Sequence, residues 1–425
     1  MGRDLPKIIL LTDKADHASS DLRGMVPMAV LEKARLAYVG VHSIHEVISG
    51  DPKAVDPGNP DSHIRRFVRD VGLCDIIVIP QTTSIAWGNF IPLWQKEGKV
   101  VVMDTDDDIR YVSPLSPCYA TRGTQEVWAT MMMSDGEKKR VPLWSDGAPP
   151  ANVQPFAPVS ATKAPSVKFS IAANKQFQKL FLGALASADA VTCPTERYAE
   201  TIRKEINPSV FTLPNCLDLE VWKPGRFPKE ARPGFRIAWH GGDSHRMDVM
   251  PAAEGLGKFL ETHPDATFVL IGANLSEWLS CVPPNQLEYW DWGSYDSHPW
   301  RLMALGLDLG LCPVVDHRFN DAKSPLKWTE FGACGVPSIC SGNPPYSDAV
   351  RDGEDGLLVR NEPSAWLEAL SRVYADDALR RRLGDAARAR VEAEFDIHKM
   401  AVRWYEVYSD LIERRNVRRV AVEVA

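Results

Sequence analysis

The stretch Phe235-Arg-Ile-Ala-Trp-His-Gly241-Gly242-Asp-Ser-His245-Arg246 joins an apolar run to two glycines and then to small and basic residues. Its apolar part is typical of a strand buried on both faces of a parallel sheet. Two glycines let the backbone approach an anion closely, and the start of a following helix offers free N–H groups with partial positive charge. We therefore predict that a helix opens here and that Gly241, Gly242, His245 and Arg246 contact a phosphate.

Short apolar runs alternate with amphipathic stretches on both sides of this turn, which predicts an α/β protein with two doubly wound parallel sheets. We expect one Rossmann-like domain over 1–222 and a second over 235–395, which face a cleft. A C-terminal helix with a basic tail, over 396–425, should return to the first domain. A Pro- and Ser-rich excursion at about 113–170 interrupts the first domain. It fits a surface loop and an acceptor-side flap equally well.

The composition excludes several classes of protein. A net charge of −7 and 44% hydrophobic residues oppose wholesale disorder and a protein that coats nucleic acid or anionic membranes by bulk charge. No apolar run approaches the roughly 18 residues of a membrane span, and the N-terminal apolar run is too short for a signal peptide. The eight cysteines form no CxxC pair, so zinc and redox motifs are absent. These features favour a cytoplasmic protein without an integral membrane segment.

A second segment of interest, residues 319–330, follows the apolar run 309–313. Lys327 and Glu330 are three residues apart and share one face of the predicted helix, and Lys323 lies just before it. Cations at a helix start suit a diphosphate, and a carboxylate one turn further suits hydroxyls of a ribose or a sugar. Judged on spacing alone, a surface salt bridge with an N-cap explains the pattern equally well.

Several segments between about 185 and 360 resemble, in order, the retaining GT-B glycosyltransferases of family four. Residues 189–196 (Asp-Ala-Val-Thr-Cys-Pro-Thr-Glu) resemble that family's ADAVTCPSE strand, and 213–218 (Leu-Pro-Asn-Cys-Leu-Asp) its PNGVD segment. Residues 335–337 follow Glu330 as in its E-A-x-A-x-G-x-P motif, and 352–359 match DGxxGLLV. The resemblance implies a GT-B fold and transfer, with retention, from a nucleotide-diphosphate sugar such as a UDP- or GDP-sugar. It also implies that no metal or other cofactor is required.

One position departs from the common family pattern. The family's E-x7-E pair would place its first carboxylate at position 322, where this chain has Ala322. The chain resembles instead a subgroup that reads FNxxKSxLKxxE, and whether Asn320 or Asp321 takes over the role of the missing acid is open. The resemblance implies that Glu330 acts in catalysis by orienting the donor. The implied donor-binding set is Gly241, Gly242, His245, Arg246, Lys323, Ser324, Lys327 and Glu330.

An acidic cluster follows the apolar run 100–103. Its members are Asp104, Asp106, Asp107 and Asp108. Carboxylates at a strand end can bind a divalent metal, and Asp104-Thr-Asp106 spells the DxD motif of metal-dependent GT-A enzymes. We favour an acceptor-side role without metal, with Asp106 as a catalytic residue, and leave metal binding and a solvated turn as alternatives. In the first turn after a strand, His17 is a further catalytic candidate and Arg23 a further acceptor-side contact.

Four functions are compatible with these patterns. The favoured one is transfer of a sugar to a glycan or a lipid-linked glycan. The alternatives are a transferase acting on a hydroxylated DNA base, a GT-A-type transferase with a metal at Asp104 and Asp106, and a catalytically silent protein that binds sugar nucleotides or glycans. The absent acid at Ala322 motivates the silent protein. The sequence identifies neither the donor base nor the oligomeric state.

Overall fold

The computed structural model describes residues 5–13, 21–43, 47, 62–132, 137–148, 168–223, 225, 232–291, 293–294 and 297–424. His17 lies outside these residues. The chain divides into two compact units. Unit 1 comprises Met1–Asp107, Lys179–Glu220 and Glu392–Ala425, and unit 2 comprises Asp108–Gln178 and Val221–Val391.

The strands of the described residues, in chain order, are β1 (Lys7–Thr12), β2 (Tyr38–Ser43), β3 (Ile76–Pro80), β4 (Val100–Asp104), β5 (Val127–Met132), β6 (Lys138–Trp144), β7 (Ala190–Cys193), β8 (Val210–Thr212), β9 (Phe235–Gly241), β10 (Ala266–Gly272), β11 (Leu287–Asp291), β12 (Leu309–Cys312), β13 (Ser338–Ser341) and β14 (Leu357–Val359). The helices are α1 (Val26–Lys33), α2 (His63–Leu73), α3 (Ser84–Trp87), α4 (Ile91–Lys96), α5 (Tyr119–Arg122), α6 (Ile171–Ser187), α7 (Glu196–Glu205), α8 (Met250–Thr262), α9 (His298–Ala304), α10 (Leu326–Ala333), α11 (Tyr346–Ala349), α12 (Pro363–Ala375), α13 (Asp377–Glu394) and α14 (Ile397–Val424). None of these helices combines the length and apolar character needed to cross a bilayer.

Unit 1 is built on a parallel sheet with the strand order β2-β1-β3-β4-β7-β8. Every residue of β3 and β4 is buried, as their continuous apolar runs predict for strands covered on both faces. The C-terminal helix α14 packs on this sheet, because Trp404 and Tyr408 lie in one apolar cluster with Ile8 and Leu10. The predicted return of this helix to the first domain is confirmed.

Unit 2 is built on a second parallel sheet with the strand order β11-β10-β9-β12-β13-β14. Its core includes Trp239 of β9, Phe268 of β10 and Trp366 of α12, all fully buried. The strand order reverses between β9 and β12, and in doubly wound sheets ligands bind at the carboxyl ends of the strands at such a point. The prediction of two doubly wound parallel sheets is confirmed.

Part of the excursion predicted as irregular forms a β-hairpin, because β5 and β6 pair antiparallel. Beside it, Phe169 stacks on Tyr119 with ring centroids 5.8 Å apart and tilts against Trp144 at 5.6 Å. Phe319 of unit 2 packs against the same aromatic cluster. The structure therefore groups residues 108–178 with unit 2, whereas the sequence-based boundaries placed them in the N-terminal domain.

The residues after Gly242 also differ from expectation. A single 3₁₀ turn covers Asp243–His245, and the helix α8 begins only at Met250. Pro251 stands in the first turn of α8, where a proline is favoured because its fixed φ suits a helix start. Arg246 consequently lies in a connecting turn rather than in a helix.

Candidate functional site

The turn after β9 lies at the carboxyl edge of the unit 2 sheet, beside the point of strand reversal. A Cβ atom at Gly241 would lie 2.8 Å from the Trp239 ring, so packing requires glycine there. A Cβ atom at Gly242 would meet no described atom within 4 Å. The second glycine thus borders open space at the end of the strand, as a site that admits a ligand requires.

Asp248 ties this turn to the loop that follows β12. Its carboxylate pairs with Nδ1 of His245 at 2.9 Å and accepts hydrogen bonds from the backbone N–H of Val315 at 3.2 Å and from Nδ2 of Asn320 at 3.1 Å. Burial raises the pKa of Asp248, but its hydrogen bond with His245, the charge of Lys327 and the hydrogen bond from Val315 outweigh that effect, so the pKa is lowered. The two loops that carry the predicted donor-binding residues are held together by one buried carboxylate.

The side-chain amide of Asn320 is committed to this link. Its Nδ2 donates to Asp248 and also to the carbonyl of Val315 at 3.0 Å, and the residue is 5% exposed. Ala322, at the position of the family's first acid, is itself buried. Asn320 is therefore a residue that positions the loop, and its Nδ2 is already occupied.

Two half-buried lysines carry the positive charge of this region. Nζ of Lys323 lies 4.5 Å from the centroid of the Phe319 ring, and Nζ of Lys327 lies 5.9 Å from that of Trp239. Burial lowers the pKa of Lys327, an effect opposed by the charges of Asp248 and Glu330. Ser324, half-buried as well, follows Lys323 and precedes the start of α10.

His245 and Arg246 differ in what they offer an anion. The charge of Lys327, followed by burial, lowers the pKa of His245 to about 4, despite its bond to Asp248. His245 is therefore neutral near pH 7 and does not add the positive charge that the sequence suggested. Arg246 is buried, with its guanidinium 5.5 Å from the Trp278 centroid and its Nε donating to the carbonyl of Asp243 at 3.2 Å.

Glu330 faces two histidines. It lies on α10 and is 4% exposed. Its Oε2 is 3.4 Å from Nε2 of His240, at the end of β9, and 3.5 Å from Nε2 of His298, at the start of α9. The pKa of His240 is well below its ordinary value because of burial, followed by the charges of His298 and Lys327. The predicted donor-orienting carboxylate thus lies in a buried pocket lined by imidazoles.

The sequence analysis did not single out His298 or Asp248. Pro299 marks the start of α9, and this signal locates a helix start without indicating that His298 meets β9 and α10. Asp248 follows the quoted turn by two residues, and its role depends on a partner 72 residues away in the chain.

Two of the predicted acceptor-side residues in unit 1 form a buried ion pair. Arg23 donates from Nε to Oδ1 of Asp104 at 3.0 Å and from Nη2 to Oδ2 at 2.6 Å, and both residues are 2% exposed. Oδ2 also accepts from Oγ1 of Thr192 at 2.5 Å, and Arg23 donates to Oδ1 of Asn215 at 3.1 Å. Both oxygens of Asp104 are thus bound within unit 1, so a metal of the DxD type would have to displace a buried guanidinium.

The remaining acidic residues occupy different settings. Asp106 and Asp107 are half-buried after β4, where the hydroxyl of Tyr198 donates to the carbonyl of Asp107 at 3.0 Å. Asp108 belongs to unit 2 and accepts hydrogen bonds from Nε and Nη2 of Arg110 at 2.7 and 2.6 Å. The structure brings the predicted donor set together in unit 2 and divides the acidic cluster between the two units.

A family model and several curated proteins match parts of this chain. Residues 254–406 match a family model described as glycosyl transferase-like. A 105-residue stretch is 35% identical to an exopolysaccharide phosphotransferase of Streptomyces coelicolor and covers 24% of this chain and 11% of that protein. A 90-residue stretch is 33% identical to a D-inositol 3-phosphate glycosyltransferase of Xylanimonas cellulosilytica and covers 21% of each chain. The chain thus spans less than a quarter of the length of either relative.

The solved structures show the fold. HepE of Anabaena, crystallised in complex with UDP, superimposes with a TM-score of 0.58 at 12% identity, over 95% of this chain and 100% of that one. This likeness and the two six-stranded parallel sheets confirm the GT-B fold. At 12% identity the likeness establishes the fold alone, and the fold differs from the one that the GT-A alternative requires.

Proposed function

We propose that this protein is a glycosyltransferase that moves a sugar from a UDP- or GDP-sugar to a glycan or lipid-linked glycan, with retention and without a required metal. The observation that carries the proposal is that α10 brings two polar side chains to the carboxyl end of β9: Nζ of Lys327 lies 5.9 Å from the ring of Trp239, and Oε2 of Glu330 lies 3.4 Å from Nε2 of His240. The carboxyl end of this strand is the point at which doubly wound sheets bind ligands. The glycosyl transferase-like match supports it, because residues 254–406 include α10 and most of the unit 2 sheet.

In the proposed reaction the bond between the anomeric carbon and the diphosphate breaks, an acceptor oxygen bonds to that carbon, and the nucleoside diphosphate leaves. Negative charge grows on the leaving diphosphate, so cations placed there stabilise the transition state more than the ground state. We assign this role to Lys323 and Lys327, with Arg246 as a further candidate contact. Glu330 accepts hydrogen bonds from hydroxyls of the ribose or the sugar. Asp106 takes the proton that the attacking hydroxyl of the acceptor loses.

The alternative functions make different demands. A metal-dependent GT-A enzyme would need Asp104 as a ligand, but both of its oxygens are bound by Arg23 and Thr192. A DNA-base transferase would bind duplex DNA with strong salt dependence, whereas a glycan acceptor would not. A catalytically silent protein would bind the donor without transferring the sugar, as single-turnover assays with radiolabelled donors would reveal.

A thermal-shift screen against UDP, GDP, ADP and dTDP tests the proposal first. The cognate nucleotide at about 100 times its dissociation constant should add about 2.7 kcal/mol of stability. Lys323→Ala should remove most of this shift. The matched control is Lys258→Ala, since Lys258 is an exposed lysine on α8 that pairs with Glu254, one turn earlier, at 2.7 Å. Absence of a shift with every nucleotide, or equal shifts in both variants, would contradict the proposal.

A further inference from the structure

Three potential metal ligands lie together in unit 2. They are Nε2 of His240, Nε2 of His298 and an oxygen of Glu330, and each lies within 4.8 Å of the others. Three separate elements, β9, α9 and α10, supply them. Two imidazoles with one carboxylate form a donor set that zinc sites in proteins use, with water completing the coordination.

The spacing of these atoms fits zinc. With Zn–N and Zn–O bonds of about 2.0–2.1 Å, neighbouring ligands of a tetrahedral ion lie about 3.3 Å apart. Oε2 of Glu330 lies 3.4 Å from Nε2 of His240 and 3.5 Å from Nε2 of His298. The carboxylate therefore stands near the required separation from each imidazole nitrogen before any ion binds, and the two nitrogens lie within 4.8 Å of each other.

The surroundings of His240 also favour a bound cation. This residue is 5% exposed, and its Nε2 has no hydrogen-bond partner among the described residues. A buried polar atom without a partner is destabilising, and a bound cation would satisfy it. This nitrogen lies 3.4 Å from Oε2 of Glu330, a distance suited to sharing an ion.

We propose that His240, His298 and Glu330 bind Zn²⁺. The side chain of His298 is 20% exposed, so the ion can enter and keep a water ligand on that side. One consequence rests on the proposed function. The ion binds the same carboxylate that contacts the donor, so Zn²⁺ and the nucleotide sugar exclude each other. The site is thus inhibitory, and transfer itself needs no metal.

Lys327 provides a graded test, because its charge acts on His240 and opposes a cation there. Replacing it by glutamine removes that charge and keeps a side chain of similar length. Zn²⁺ should bind Lys327→Gln more tightly than the wild type. Loss of binding in this variant would count against a site at His240.

The direct experiment measures Zn²⁺ affinity of the full chain, stripped with EDTA, in competition with a chromophoric chelator. His298→Asn and Glu330→Gln should each weaken binding at least tenfold. The matched control is His398→Asn in a second, more exposed cluster, where Nε2 of His398 is already bound to Asp218 at 2.9 Å. This control should bind Zn²⁺ as the wild type does.

Co²⁺ provides a readout that a merely structural role would not change. The wild type and His398→Asn should show the intense visible bands of tetrahedral Co²⁺, and His298→Asn should lose them. Bands that depend on His398, or affinity unchanged in His298→Asn, would overturn the proposal. Zn²⁺ binding that the UDP-sugar and the GDP-sugar leave unaffected would support the site and refute only the proposed donor role of Glu330.

Discussion

Replacing Asn320 by alanine should destabilise unit 2 and weaken donor binding together. The lost Nδ2 donates to the carboxylate of Asp248 at 3.1 Å and to the carbonyl of Val315 at 3.0 Å. A hydrogen bond to a charged acceptor contributes about 1.5–3 kcal/mol, and one to a neutral acceptor about 0.5–1.5 kcal/mol. The free energy of unfolding should therefore fall by about 2 to 4 kcal/mol. Asn320→Asp should cost more, because it sets a second carboxylate against Asp248.

Urea unfolding followed by tryptophan fluorescence measures this change, because most tryptophans belong to unit 2. The control is Asn274→Ala, because the side-chain oxygen of Asn274 accepts hydrogen bonds from the backbone N–H and the hydroxyl of Ser276 in an exposed turn. That variant should lose less than about 1 kcal/mol. If Asn320→Ala loses no more stability than this control, the buried link between the two loops does not hold the site in the way described.

Three further predictions concern other parts of the molecule. The pKa of His245 is about 4 in the folded chain, against an ordinary value of 6.5. As the pH falls, the unfolded chain is therefore protonated at His245 before the folded chain is. Stability should then fall by about 3 kcal/mol between about pH 7 and pH 4, and His245→Asn should remove this part of the loss in pH-dependent urea titrations. Arg23→Met leaves Asp104 as an uncompensated buried charge and should destabilise unit 1 by about 3–5 kcal/mol. Urea unfolding followed by circular dichroism measures this loss, and a loss below about 1 kcal/mol would contradict the buried pair. Asp106→Asn should leave the dissociation constant of the donor unchanged and slow single-turnover transfer, and a weakened donor affinity would refute its acceptor-side assignment.

The sheets were predictable because their strands are buried on both faces. Such strands read as continuous apolar runs, as at Val100–Asp104 and Ala190–Cys193. The edge strand Leu287–Asp291 was not predicted, because its residues are half-buried or exposed and give no such run. The hairpin over 127–144 was not predicted either. Contacts among aromatic residues that lie far apart in the sequence stabilise it, and a local pattern does not show such contacts.

The site was predictable in composition but not in geometry. Local sequence patterns identify residues at strand ends and helix starts, such as Gly242 and Lys327, as candidate site residues. The pairing of Arg23 with Asp104 spans 81 residues, and no local signal separates a buried ion pair from two acceptor contacts. The neutral state of His245 likewise depends on Lys327, which lies far away in the sequence.

The dissociation constant of the donor, measured by calorimetry for the wild type and Lys323→Ala with and without EDTA, tests the central claim most directly. A charge-assisted hydrogen bond to the diphosphate contributes about 1.5–3 kcal/mol, so Lys323→Ala should weaken binding about 10- to 150-fold. EDTA should not weaken binding to the wild type, because lysine side chains rather than a metal hold the diphosphate. Loss of donor binding in EDTA, together with normal binding by Lys323→Ala, would contradict the account.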